Sequence, residues 1–147
     1  MKSARCKKQR CSKPVRAHDL CASHAQMEAD ALFSKQIRHW YGSCVADDKS
    51  SSFWQGPYFA CSGRLSCAHL ISRGYHSTRW EFDNAVALCA SHHRWLDTHP
   101  LQKDDMCEAW LGEERWNELR VQAKALTKPD YDVIISHLVK EVADGTT

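Results

Sequence analysis

The sequence predicts an α+β protein built of small, metal-braced modules. Three observations predict this. Eight cysteines and nine histidines fall in short-spaced groups, short apolar strand-like pieces cluster near the middle, and the last third carries helical periodicity. The chain has 147 residues and a mass of 16.8 kDa, one ordinary domain or a small domain with an appendage. With 43% apolar and 26% charged residues a folded chain is expected rather than a disordered one. No apolar run is long enough to span a bilayer, so no membrane association is expected. The basic start MKSARCKKQRCSK has no apolar segment behind it, so a cytoplasmic, reducing location is expected, the host cytoplasm if a phage encodes the chain. Cysteines in such a compartment read as metal ligands.

The elements follow in order, with no internal repeat. Residues 1–26 form a basic, cysteine-rich knuckle. A linking helix is assigned to 27–43, with helical periodicity expected over about 25–41, where Leu32, Phe33, Ile37, Trp40 and Tyr41 recur at helical spacing. A central core spans 44–100. It opens with the polar run 47–52, read as an exposed loop, and continues with strand-like pieces at 65–71 and 79–82. A helix is expected from Ala90 to just before Pro100. The helical tail, 101–147, contains helices over 103–111, 113–126 and 130–143, broken at Gly112 and at Lys128-Pro129-Asp130. Trp116, Leu119, Ala123 and Leu126 share one face of the second, and Ile134, Leu138 and Val142 one face of the third. Trp110 and Trp116 suit either a core or a dimer face. Residues 144–147 are expected to fray.

Cys6, Cys11, Cys21 and His24 stand in the pattern C-x4-C-x9-C-x2-H. Zinc takes four such ligands in a tetrahedron, and two close pairs supply them through tight turns. The stretch between, SKPVRAHDL, has little to bury, so metal binding would supply its folding free energy. His18 is a spare ligand. Lys7, Lys8, Arg10, Lys13 and Arg16 would then project from an ordered scaffold. Charge is uneven: residues 1–40 carry nine Lys/Arg against three Asp/Glu, and residues 41–147 eleven against fifteen. A basic arm on a near-neutral body fits contact with DNA phosphates.

The informative string is CAHLISRGYHSTRWEFDNAVALCASHHRWLDTHP, residues 67–100. Cys89 and His92 are three apart at a helix start and need two further ligands. Cys44 and either Cys61 or Cys67 are the nearby thiols. His93 points away from that group and can hold a second, hydrated metal, with Asp97 on the same helix face one turn later. His99 and Asp83 are the weaker choices. His76 is expected in solvent, and Cys107 in the packing of the tail.

These residues resemble the HNH endonucleases, in particular a phage-associated branch with the pattern H-x-x-S-R…T-R-W…D-N…L-C-x-x-C/H-H, related to NinG-type recombination nucleases. The match runs over about residues 44–100. It implies a zinc-stabilised ββα-metal core, a β-hairpin and helix gripping one divalent ion, flanked here by the N-terminal zinc knuckle and the helical tail. The name letters fall on His69, Asn84 and His93. By that resemblance His69 is the general base, Asn84 orients the hairpin or the base, and His93 holds Mg²⁺ or Mn²⁺, with Asp97 the first choice from helix spacing to complete the shell. Arg73, Arg79 and Arg94 contact phosphate, and the structural zinc uses Cys44, Cys61, Cys89 and His92. The implied activity is hydrolysis of DNA phosphodiester bonds to 5′-phosphate and 3′-hydroxyl ends, in phage recombination or DNA processing. Two positions depart from the family. Cys44 and Cys61 are seventeen residues apart rather than in a tight knuckle, and Ala68 stands where many members have a metal-binding Asp. A non-catalytic, zinc-stabilised DNA-binding module and a purely structural zinc scaffold for protein contacts are the competing readings. No protein partner is read from the sequence.

Overall fold

The computed structural model describes residues 4–144, the side chain of Val142 excepted. The part of the expected frayed tail at 145–147 lies outside those residues. The protein is α+β. Its elements are α1 (Ala22–Tyr41), β1 (Leu65–His69), a 3₁₀ turn (Phe82–Asn84), β2 (Ala85–Cys89), α2 (Ala90–Thr98), α3 (Pro100–Leu111), α4 (Glu113–Ala123) and α5 (Tyr131–Asp144). Among the described residues no helix is long and apolar enough to cross a membrane. The chain forms two compact units, residues 1–36 with 128–147, and residues 37–127. This division differs from the sequence-based segments. The end of the helical tail joins the knuckle, and its first two helices join the central core.

In the first unit, the knuckle is closed by backbone pairing. Cys6 N–H donates to Lys13 O at 3.2 Å, and Val15 N–H to Ala4 O at 3.1 Å. His18 and Asp19 adopt left-handed backbone, φ 46° and 60°. These tight turns bring the two ligand pairs together. Ala25, Ala29 and Phe33 of α1 are buried at intervals of four, a stripe that begins two turns before the expected one. Ile135 and Leu138 of α5 are buried in the same unit. Asp130 caps α5, accepting from Val133 N–H at 3.2 Å. His18, considered as a spare zinc ligand, instead engages Asp132: its backbone N–H donates to Asp132 Oδ1 at 3.1 Å, and its ring lies 3.5 Å from the same oxygen.

The second unit is organised on an antiparallel hairpin. β1 and β2 pair in register from Leu65 opposite Cys89 to His69 opposite Ala85. β2 is buried along its whole length, as its apolar run AVALC requires. α2 follows it without a loop. α3 begins on Pro100, whose missing N–H costs nothing at a first helical position, and ends at Gly112, φ 84°. Leu88, Leu96, Met106, Cys107, Trp116 and Leu119 build the core, and Phe53 from the long loop after α1 meets Trp110 edge-on. Trp116 is therefore a core residue, with Nε1 donating to Asp104 at 2.9 Å.

Three local expectations are corrected. Residues 79–82 are not a strand: they lie in turns that lead into the 3₁₀ turn, because Asn84 anchors that stretch rather than a partner strand. Trp40 is exposed and rests edge-on against Phe82. Leu126 lies beyond the end of α4 and is fully exposed, so it does not extend the Trp116 face.

Candidate metal centres and cleft

Each unit holds one Cys₃His cluster. The donor atoms of Cys6, Cys11, Cys21 and His24 lie within 4.8 Å of one another, and so do those of Cys44, Cys61, Cys89 and His92. A zinc tetrahedron requires about 3.8 Å between sulfurs and about 3.5 Å between sulfur and nitrogen. Cys11 and Cys21 sulfurs are 3.8 Å apart, and Cys6 and Cys21 sulfurs are each 3.3 Å from His24 Nδ1. His92 Nδ1 lies 3.7 Å from Cys44, 3.7 Å from Cys61 and 3.0 Å from Cys89. Both clusters could therefore hold a structural metal of tetrahedral preference. Cys61, not Cys67, completes the second.

The electrostatics also fit a cation. Hydrogen bonds from the Ser23 hydroxyl and the His24 amide lower the Cys21 thiol to about 6. Burial opposes ionisation of Cys89, but the Ser91 hydroxyl and the His92 amide outweigh it and lower that thiol to about 5. Desolvation, with the Cys44 and Cys89 sulfurs beside it, pushes Cys61 up to about 12. Sulfurs this close cannot all be thiolates without a positive ion between them.

The two clusters share a local device that the sequence reading missed. Cys-Ala-Ser-His occurs twice, at residues 21–24 and 89–92. In both copies the Cys immediately precedes a helix, the Ser hydroxyl lies on its sulfur at 3.3 or 3.2 Å, and the His turns Nδ1 into the cluster. Four identical residues were a visible signal, although too short to register as a repeat.

The long interval between Cys44 and Cys61 covers the second cluster. Phe59 stacks on the His92 ring at 4.1 Å, and Trp54 meets it edge-on at 4.8 Å. Ser62 N–H donates to Ser91 Oγ at 3.1 Å, and Ser91 N–H to Ser62 O at 3.2 Å. Gly63, φ 81°, passes the start of α2 so closely that a Cβ there would lie 2.5 Å from Ala90 Cβ.

On the hairpin beside this cluster lies a cleft of about 440 Å³, lined by Cys67, His69, Ser72, Arg73, His93, Asp97 and Lys103. His69 Nε2–H donates to the Arg79 carbonyl at 2.8 Å, which places the lone pair on Nδ1. Ser66 Oγ donates to Leu88 O at 3.0 Å, so it accepts from His93 Nδ1–H at 2.9 Å. His93 Nε2 lies 3.4 Å from Asp97 Oδ2, so the two groups either pair directly or share a cation. The separation suits adjacent ligands on a hydrated divalent ion, whose neighbouring donors sit about 3 Å apart. Lys103, which sequence reasoning overlooked, donates to His69 O at 2.9 Å and approaches Asp97 Oδ1 to 3.4 Å. It lies six residues past Asp97 in another helix, so only the α2–α3 turn brings it in.

The remaining expected residues sort clearly. Asn84 is fully buried, and its amide is engaged by the loop between the strands. Its Oδ1 accepts from Ile71 N–H at 2.7 Å, and its Nδ2 donates to Ile71 O at 3.2 Å and Thr78 O at 2.9 Å. It fastens the loop between the strands, including the stretch that presents the Arg79 carbonyl. Arg73 is exposed at the cleft and Arg94 is exposed on α2. Arg79, expected on phosphate, is instead buried, its guanidinium donating to Arg73 O at 2.7 Å. His99 stacks on Trp95 and Asp83 pairs with Arg115, so neither joins the cleft. No family model, curated protein or solved structure matches the chain.

Proposed function

We propose that the protein is a divalent-metal-dependent endonuclease of the HNH type that hydrolyses DNA phosphodiester bonds. The observation that carries this reading is the convergence of His69, His93 and Asp97 on one cleft, with the His69 ring held by the Arg79 carbonyl and the His93 ring by Ser66. The hairpin running directly into α2, with His69 on β1 and His93 on α2, agrees with a ββα-metal core. The family resemblance of residues 44–100 points the same way.

In this mechanism His69 Nδ1 takes a proton from a water that attacks phosphorus. The P–O3′ bond breaks and the leaving oxygen gains its proton from solvent, giving 5′-phosphate and 3′-hydroxyl ends. The Arg79 carbonyl holds the His69 ring and favours its protonated form as the proton arrives. Asn84 is a positioning residue, acting through the loop it ties down. Arg73 at the cleft and Arg94 on α2 bind the phosphate backbone. His93 and Asp97 would hold the divalent ion, which when bound would stabilise negative charge on the phosphoryl group and the leaving oxygen. The biological setting we propose is DNA recombination or processing in a phage life cycle, on the strength of the resemblance alone.

Supercoiled plasmid incubated with the zinc-loaded protein tests the reading. Nicking or linearisation with Mg²⁺ or Mn²⁺, absent with EDTA and absent for His69→Ala, is the expected result. No cleavage of plasmid, single-stranded or branched DNA with either metal, by protein that still retards DNA, would overturn it. That result would favour the non-catalytic DNA-binding module, a reading supported by Ala68, which is fully buried and offers no ligand beside His69.

A further inference from the structure

We infer that Lys103 makes divalent-metal binding in the cleft depend on the phosphate group, an inference that rests on the nuclease reading of that cleft. Lys103 belongs to α3, outside the hairpin and the helix that carry the other cleft residues. Its side chain is only 17% exposed, so its ammonium is held in place. Nζ donates to His69 O at 2.9 Å and lies 3.4 Å from Asp97 Oδ1, while the other oxygen of the same carboxylate faces His93 Nε2.

The consequence follows from charge. His93 and Asp97 together offer one negative charge, and Lys103 already balances it. Hard divalent ions such as Mg²⁺ bind weakly to so few ligands and complete their shells with substrate phosphates. Here the deficit is larger, because a fixed positive charge stands on the carboxylate that must hold the ion. A phosphodiester entering between Lys103, Arg73 and the ion supplies the missing negative charge and removes the repulsion. Metal and phosphate then bind cooperatively, and by linkage each strengthens the other by the same factor. Lys103 is in this sense a built-in competitor that keeps the free protein poorly loaded.

Mn²⁺ binding to the zinc-loaded full chain, followed by the paramagnetic resonance signal of the free aquo ion, tests this without measuring cleavage. A short DNA duplex supplies the phosphate, in a His69→Ala background that keeps it intact, with the signal of DNA alone subtracted. The unmodified Lys103 protein and Lys103→Arg are expected to bind Mn²⁺ weakly alone and to gain about tenfold or more with DNA. Lys103→Gln, which keeps a donor for His69 O and removes only the charge, is expected to bind Mn²⁺ about tenfold tighter without DNA and to gain little from it. Lys103→Met checks the same outcome with no donor. Unchanged or weakened Mn²⁺ binding in neutral variants that retain both zincs would overturn the inference and make Lys103 a simple tether. Mn²⁺ binding that His93→Ala leaves untouched would instead overturn the metal site itself, and with it the nuclease reading.

Discussion

Asn84 shows how much one buried side chain can organise. Its amide satisfies both backbone groups of Ile71 and the carbonyl of Thr78, spanning the connection between the strands. Asn84→Ala leaves those groups unpartnered in the interior, and a loss of about 1–3 kcal/mol in urea unfolding is expected. On the proposed nuclease reading, DNA cleavage should fall further than stability does, since the Arg79 carbonyl bonded to His69 rides on the same loop. Tyr41 offers a pH signature. Burial raises its pKa to about 12, with the Asp83 carboxylate and Cys67 adding to the effect. Because the folded value exceeds the unfolded value near 10, this contribution to stability is complete below pH 10 and is lost as pH rises through 12. Ultraviolet titration should show one tyrosine ionising late, and Tyr41→Phe should remove that step. The role of Lys103 lies beyond sequence reasoning for a residue-scale reason: an ammonium six positions past a carboxylate reads as one more solvated charge.

The hairpin, α2 and the Cys61 loop work as one element-scale device. Cys89 ends β2, His92 enters the second cluster from the first turn of α2, and His93 turns the other way into the cleft. One helix start thus contributes to both a Cys₃His cluster and the cleft. The loop reaches it only because Gly63 has no Cβ and accepts φ 81°. Gly63→Ala collides with Ala90 and strains the backbone, so it is expected to loosen Cys61. The expected outcome is faster release of one metal equivalent to a chelating dye, with the other equivalent released at its normal rate. Helical periodicity and Cys spacing made α2 and its ligands legible in advance. The true course of residues 79–84 was not legible, because an aromatic and charged run resembles a strand until its anchor, Asn84, is located in space.

At the scale of the molecule, the clusters fall one to each compact unit. Two zinc equivalents per chain are expected by elemental analysis. Cys21→Ser should lower that to one while leaving the cleft residues and their tertiary near-ultraviolet signal in place. Cys89→Ser should also lower it to one but abolish the fold of the unit that contains the cleft, because β2 and α2 meet at that residue. Loss of both metals from either single variant would show that the units do not fold separately.

The sequence by itself determined the first ligand set, all but one member of the second, and the chemistry to be tested. Cys and His grouped at short spacing match the demands of a tetrahedral metal site, and the order of His69, Asn84 and His93 carried the resemblance. It also determined the helical character of the last third, since apolar periodicity is a local property. Tertiary structure alone decided that Cys61 rather than Cys67 completes a cluster, that His18 serves Asp132, that Arg79 is buried, and that Lys103 sits on Asp97. Apart from Arg79, which folds back on its own loop, each of those outcomes is a contact between residues distant in sequence or on separate elements. Such contacts depend on which faces the packed core turns toward one another, and no spacing along the chain encodes that directly.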